Sequence, residues 1–352
     1  MTARPHDALF KSAFETPAEA AALLRELLPA ALRELIAWDT LHGEPGSFVD
    51  PALADHHIDL LFSARLRTNA AELVHVLLEH QSTADPAMPL RTLSYRTRVW
   101  NRCRKERPDA WLPPVLAVLV SHAPGGWTTS RSLDELFDPS VRAIPGLAAS
   151  IPQSPLIIDD LAHLSNEDLQ ARSLAAFQKL ALWLLRDARA PRRLLDNFDA
   201  WIVTFAEAER APAGIDATAT LLTYMFRVID PVHHDQLRAK IHQLGPHAEE
   251  TAMTIAEQWH EEGREEGIAK GREEGIAKGR EEGIAKGREE GIAKGREEGR
   301  IAALRSLLSS KFGSQALDAT YEAHLHAATP AAVDHYLQRV LGADSLAAVF
   351  ED

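Results

Sequence analysis

Residues 58–66 read Ile58-Asp59-Leu60-Leu61-Phe62-Ser63-Ala64-Arg65-Leu66, and residues 72–81 read Glu72-Leu73-Val74-His75-Val76-Leu77-Leu78-Glu79-His80-Gln81. In the first stretch Ile58, Leu60, Phe62, Ala64 and Leu66 occupy every second position and Asp59 falls on the other face, which is the period of a strand. In the second, Leu73, His75, Leu77, Glu79 and Gln81 share a face. The link Thr68–Ala71 is short, which predicts an antiparallel hairpin. A helix is expected over Leu90–Glu106. Pro113-Pro114 then precede an apolar run, Val115–Val120, expected as a buried strand, and Leu156–Ile158 is expected as a last short one. Strands, a helix and further strands imply an α/β fold, a mixed sheet with helices packed on it.

Upstream, Leu9, Phe10, Phe14, Leu23, Leu24, Leu27 and Leu28 give a helical pattern from His6 to about Ala37, broken near Pro17, and Gly43–Asp55 reads as loop. Downstream of residue 160 the pattern is helical throughout. Ser165 with Asp168 resembles a capping box ahead of Leu174–Leu185, Pro191 suits the first turn of another helix, and Leu221–Ile229 suits a third. The expected divisions are therefore a sheet-containing domain at 1–160, a helical domain at 161–262, a repeat at 263–300 and a small helical domain at 301–352.

The repeat is Gly-Arg-Glu-Glu-Gly-Ile-Ala-Lys, four times without change from Gly263 to Lys294, with a partial copy ending at Arg300. Each copy is neutral. Glu266 and Lys270 stand in the favourable i,i+4 order. Glycine costs about 1 kcal/mol relative to alanine in a helix, whereas such ion pairs return about 0.3–0.5 kcal/mol. A helical spacer that frays is expected, with a glycine-lined helix pair as the alternative.

Over 352 residues the chain is 45% hydrophobic and 25% charged, which excludes wholesale disorder and a collagen-like fibre. One cysteine, Cys103, excludes an internal disulfide and a cysteine-rich zinc cluster. No run of 18 apolar residues is present and residues 1–10 do not read as a signal peptide, so no membrane span and a cytoplasmic location are expected. A net charge of −13 argues against coating nucleic acid through bulk charge. Residues 91–107 are the local exception, with seven Arg/Lys and one Glu.

Three constellations could carry chemistry. Asp59 and Glu79 can project from one sheet edge, and two converging carboxylates suit Mg²⁺, a hard cation that takes oxygen ligands; edge charges or ion-pair partners are the plainer alternative. On an ideal helix Arg91, Arg98, Arg102 and Lys105 lie within a stripe about 60° wide with Tyr95 at its edge, while Leu93, Thr97 and Trp100 lie opposite. Such a stripe suits phosphates, or else it is a solvated face. His56 and His57 precede Asp59 and raise a mixed metal site, whereas His6, His75 and His80 are scattered along the chain. There is no HExxH spacing, nucleophile elbow or P-loop.

The residues then join into one order: Pro5-His6-Asp7-Ala8-Leu9-Phe10-Lys11, Gly46-Ser47-Phe48-Val49, Asp59-Leu60-Leu61-Phe62, Leu78-Glu79-His80-Gln81-Ser82-Thr83, Asp85, Met88-Pro89-Leu90-Arg91 and Tyr95. This order resembles the Rpn family, the recombination-promoting nucleases or YhgA-like transposases, over residues 5–160. The resemblance implies the PD-(D/E)XK superfamily, the restriction-endonuclease-like α/β fold and a metal-dependent DNA endonuclease. It implies Asp59 and Glu79 as the motif acids, with the His80 main-chain carbonyl completing a site for Mg²⁺ (or Mn²⁺ or Ca²⁺) and Asp7 as a loose match for a further acid. Gln81 stands where the superfamily usually has lysine, and a neutral amide can orient a water but not deprotonate it. The resemblance implies DNA as partner. The stripe of Arg91, which falls inside the family motif, Arg98 and Arg102, with Tyr95 at its edge, would position the DNA backbone. The sequence does not fix the oligomeric state, although the long helical repeat could aid a homodimer. A catalytically weak interaction module on the same fold is the alternative.

Overall fold

A computed structural model describes residues 5–45, 58–68, 73–315 and 317–351, in two compact units, 1–258 and 259–352. The motif at 46–49, His56 and His57, Glu72 and the link at 69–71 lie outside the described residues.

Among the described residues five strands form one mixed sheet in chain order. They are β1 (Ile36–Glu44), β2 (Leu60–Leu66), β3 (Leu73–Gln81), β4 (Val115–Ser121) and β5 (Ile157–Asp160). The expected hairpin is present: β2 and β3 run antiparallel, with Leu60 opposite Leu78 and Phe62 opposite Val76. β3, β4 and β5 are parallel, and β4 is buried almost throughout, as a strand covered on both faces should be. The α/β architecture read from the sequence is the one observed.

One strand went unread. Helix was expected to about Ala37 and loop from Gly43, but the chain forms α1 (Pro5–Phe14), α2 (Pro17–Leu27) and α3 (Ala30–Leu35) and then turns into β1. Ile36, Trp38 and Leu41 are its buried residues, and the pairing with β2 is irregular between Ala37 and His42. That irregularity breaks strict alternation, so the segment carries a weak signal of its own, and its hydrogen bonds are supplied by β2.

Helix α4 (Met88–Glu106) packs Tyr95, Val99 and Cys103 against Leu61, Leu77 and Val115 of the sheet. The face expected to pack, Leu93, Thr97 and Trp100, is not the buried one, since Thr97 is exposed and the other two are half-buried. The buried stripe is Thr92, Tyr95, Arg96, Val99 and Cys103, spaced by three and four. The arginine stripe flanks it on one side and Leu93 and Trp100 on the other. Two short helices, α5 (Pro139–Arg142) and α6 (Pro145–Ala148), lie between β4 and β5.

The remaining helices of the first unit are α7 (Asn166–Gln170), α8 (Ala176–Asp187), α9 (Pro191–Asn197), α10 (Ile202–Glu209), α11 (Gly214–Val228) and α12 (His234–His242). The capping box at Ser165 and Asp168 forms and opens α7, and Pro191 begins α9. α1 packs against both α8 and α11, which ties the N-terminal segment to the helical region. At the end of α8, Asp187 is fully buried and accepts hydrogen bonds from Trp183 (2.9 Å), Arg186 (2.7 and 2.8 Å) and Asn197 (3.1 Å).

The repeat lies within one continuous helix, α13 (Pro246–Phe312). Its ion pairs join Lys270 to Glu274, Lys278 to Glu282, Lys286 to Glu290 and Lys294 to Glu298 at 3.8–4.0 Å. These run from lysine to glutamate, the less favourable order against the helix dipole, and among the described side chains they stand in place of the glutamate-to-lysine order; the Glu266 side chain lies outside the described residues. No helix among the described residues is long and apolar enough to cross a membrane. In the second unit Leu304 and Leu308 of α13 form a small core with Leu325 of α14 (Ala319–Ala327), Val333 of α15 (Pro330–Arg339), Val340, and Val349 of α16 (Leu346–Phe350).

Two predictions follow from packing. Asp187→Ala leaves the buried Arg186 guanidinium without its carboxylate and lowers the unfolding free energy by about 3–5 kcal/mol, read from urea denaturation. A Cβ at Gly275, Gly279 or Gly283 would meet nothing within 4 Å. Gly279→Ala therefore stabilises the helix by about 1 kcal/mol, read as a rise in thermal stability by circular dichroism.

Candidate active site

The register that places Leu60 opposite Leu78 puts Asp59 opposite Glu79 when carried one residue further, on the sheet face that α4 covers. The two acids are locked together through the backbone. The Asp59 N–H donates to Glu79 Oε1 at 3.1 Å, and the His80 N–H donates to Asp59 Oδ2 at 3.0 Å. Glu79 is 2% exposed. Burial first, and then the neighbouring Asp59 charge, hold its carboxyl well above the usual glutamate range. Asp59 is also raised, by burial and by Asp7, against the His80 N–H, His80 and Lys11, which pull it down.

A buried carboxylate beside a second one favours a cation between them. The donors on offer are carboxylate and carbonyl oxygens, the set that a hard divalent ion takes. Asp59, Glu79 and the His80 main-chain carbonyl fit Mg²⁺ on that chemistry. Among the described residues no group of three or more His, Cys, Asp or Glu side chains is placed to hold a metal, so main-chain oxygen and water would have to complete the shell.

The other nominated residues divide by face. Gln81 follows Glu79 on the same side of β3, at the strand's end. The His80 ring points the other way, 3% exposed, stacked on His122 at 4.8 Å and on Phe10 at 5.2 Å. Its Nδ1 lies 3.4 Å from Asp7 Oδ1. Arg91 donates to Asp85 at 2.8 Å and to the Tyr95 hydroxyl at 3.3 Å, and its guanidinium is near enough to lower the Glu79 carboxyl. Tyr95 is buried, which raises its phenol, as does the Glu79 charge. Arg98 lies over the Tyr95 ring at 5.8 Å. Arg102 is bound to Glu44 at 2.6 Å and Glu106 at 3.0 Å, so its charge is largely answered from β1 and its own helix.

The structure also gathers residues that sequence reasoning left apart. Lys11 Nζ stands 3.9 Å from Asp59 Oδ1 with its side chain 42% exposed. His6, from α1, and His122, after β4, meet at 4.9 Å beside His80. Burial, aided by Arg189 and His80, holds His6 down at about 4; burial, with His80 and His6, holds His122 at about 2. His75, in contrast, sits apart near Glu44 and Arg102. Nothing in linear spacing joins residues 6, 11, 80, 122 and 189.

The family described as "Putative transposase, YhgA-like" matches residues 4–215. Recombination-promoting nuclease RpnD of Escherichia coli O157:H7 is 31% identical over 263 residues, 74% of this chain and 95% of that protein. Inactive recombination-promoting nuclease-like protein RpnE of Escherichia coli (strain K12) is 27% identical over 269 residues, 76% of this chain and 85% of that protein. Recombination-promoting nuclease RpnC of the same strain is 34% identical over 178 residues, 50% of this chain and 57% of that protein. No solved structure matches the chain.

Burial also sets an acid sensitivity on the sheet. The desolvated His75 ring, near Arg102, His42 and Arg107 and opposed by Glu44, is lowered from 6.5 to about 4. The unfolded chain takes up that proton as pH falls through 6.5 and the folded one does not until about 4. This contribution to stability is complete above pH 6.5 and is lost across the window below it, by up to about 3 kcal/mol. Urea midpoints between pH 7 and 4 should fall less steeply for His75→Gln than for the unaltered protein.

Proposed function

The chain belongs to the YhgA-like transposase family, and from that premise we propose that it is a metal-dependent DNA endonuclease with a part in recombination, mobile-element or defence biology. The observation that carries the reading is the pair of reciprocal bonds holding Asp59 and Glu79 side by side on a covered sheet face. Relatives named as recombination-promoting nucleases support it.

In this reading Asp59, Glu79 and the His80 carbonyl hold Mg²⁺, which when bound activates a water and stabilises negative charge on the phosphodiester in transition. The remaining work falls to the chain's own groups. The two backbone N–H donors fix which carboxylate lone pairs stay available. Gln81, on the same face, orients the attacking water through its side-chain amide. Lys11 offsets the negative charge that would otherwise repel a DNA strand from the pair. Arg91, seated by Asp85 and Tyr95 next to Glu79, positions the DNA backbone, as does Arg98, and affinity of that kind carries no base reading.

A second reading, a weakly active or inactive interaction module on the same fold, is favoured by Gln81, which cannot serve as a base, and by a relative whose name calls it inactive.

The deciding measurement is plasmid cleavage by purified protein. Asp59→Asn and Glu79→Gln keep the shape of each side chain and should lower cleavage by about 100-fold or more with the fold retained by circular dichroism. Chelation should abolish cutting and added Mg²⁺ or Mn²⁺ restore it. Variants that cut as well as the parent would sink the site assignment, and DNA binding without any metal-dependent cleavage would favour the second reading.

A further inference from the structure

The arginines of α4 nominated by the sequence are already engaged. Arg91 is paired with Asp85, and Arg102 with Glu44 and Glu106. Arg98 leans on the Tyr95 ring. A guanidinium whose charge is met by a carboxylate has little left for a phosphate. Arg189, in the turn after α8, is held differently. Its Nη1 donates to the Ser82 carbonyl at 2.7 Å, and its Nε donates to His6 Nε2 at 3.2 Å.

That second bond assigns the His6 proton. Nε2 accepts, so the ring is neutral and carries its hydrogen on Nδ1, which donates to the Tyr224 hydroxyl at 2.8 Å. Arg189 is therefore oriented by two neutral groups, and neither cancels its charge. The residue is exposed. Orientation without neutralisation is what a phosphate-binding arginine needs, because the fork is pre-organised and its charge remains available.

Its position relates it to the carboxylates. Ser82 follows Glu79 by three residues, so its backbone lies within roughly 10 Å of the acid-bearing end of β3. Negative charge on Asp7, Asp59 and Glu79 makes a cation at this edge useful to any polyanion approaching it.

We propose that Arg189, seated by the Ser82 carbonyl and His6, binds a DNA backbone phosphate beside the Asp59–Glu79 pair. It is a contact for a phosphate adjacent to the one cut and reads no base. The proposal rests on the nuclease reading for its ligand, and the test separates the two.

The experiment uses the full chain and a double-stranded DNA oligonucleotide, with chelator present so that nothing is cut. Fluorescence anisotropy over a salt series compares the unaltered protein with Arg189→Gln and Arg189→Lys, and plasmid cleavage with Mg²⁺ is measured in parallel. Loss of one phosphate contact lowers the slope of log affinity against log salt by about 0.9. Arg189→Gln should show that fall together with weaker binding, and Arg189→Lys, which keeps the charge, should retain the slope. If Arg189 only braces Ser82 against His6, Arg189→Gln lowers thermal stability while its salt slope matches the parent, and the proposal fails. A parent that binds and cuts DNA with an Arg189→Gln slope unchanged overturns this contact and leaves the nuclease reading standing. A parent that neither binds nor cuts overturns both.

Discussion

The end of β3 is held to the start of β2 by two hydrogen bonds that run in opposite directions, each from a main-chain N–H to the other strand's carboxylate. Ladder bonds alone would align the strands without specifying where two acidic side chains lie. These bonds do specify it, because each carboxylate is anchored to the residue beside or bearing the other. The consequence is an electrostatic burden: Glu79 is buried, and each carboxyl is kept above its ordinary range by desolvation and by charge at close quarters. A fold that keeps such a pair carries a cost in stability that a purely structural edge would not, and a bound cation would relieve it.

The two faces of β3 have separate jobs. His75, Leu77 and Glu79 look toward α4, where Tyr95 closes over the sheet and the Arg91 charge lowers the Glu79 carboxyl. His80 looks the other way into a packed group of rings from α1 and the turn after β4. One residue of strand thus belongs to the carboxylate site through its amide and to the helical side through its ring. α1 spans the division, with His6 and Phe10 on the ring side and Lys11 beside Asp59. α8 and α11 hold α1 in place, and α1 carries Lys11 to the side of Asp59.

Period-two alternation at 58–66 and 72–81 is local information, and it was enough to place the hairpin, its antiparallel sense and the meeting of Asp59 with Glu79. The capping box at Ser165 and the start of α9 at Pro191 were equally legible, since caps are satisfied within one turn. β1 was not, because an irregular edge strand depends on β2 for its hydrogen bonds and advertises little in its own pattern. The buried face of α4 was misread because arginines were grouped by charge, and the stripe of Tyr95, Val99 and Cys103 beside them was not used.

From the amino-acid order alone came the strands around the two acids, the α/β class, the helical character of the repeat and the family. What packing decided was the company those acids keep. Lys11 beside Asp59, His6 against His122, and Arg189 on both the Ser82 carbonyl and His6 join positions as much as 183 residues apart. Periodicity reports only which side of its own element a residue faces. Which surfaces then meet is settled by burial of apolar area across the whole unit, and no spacing within one segment encodes that outcome.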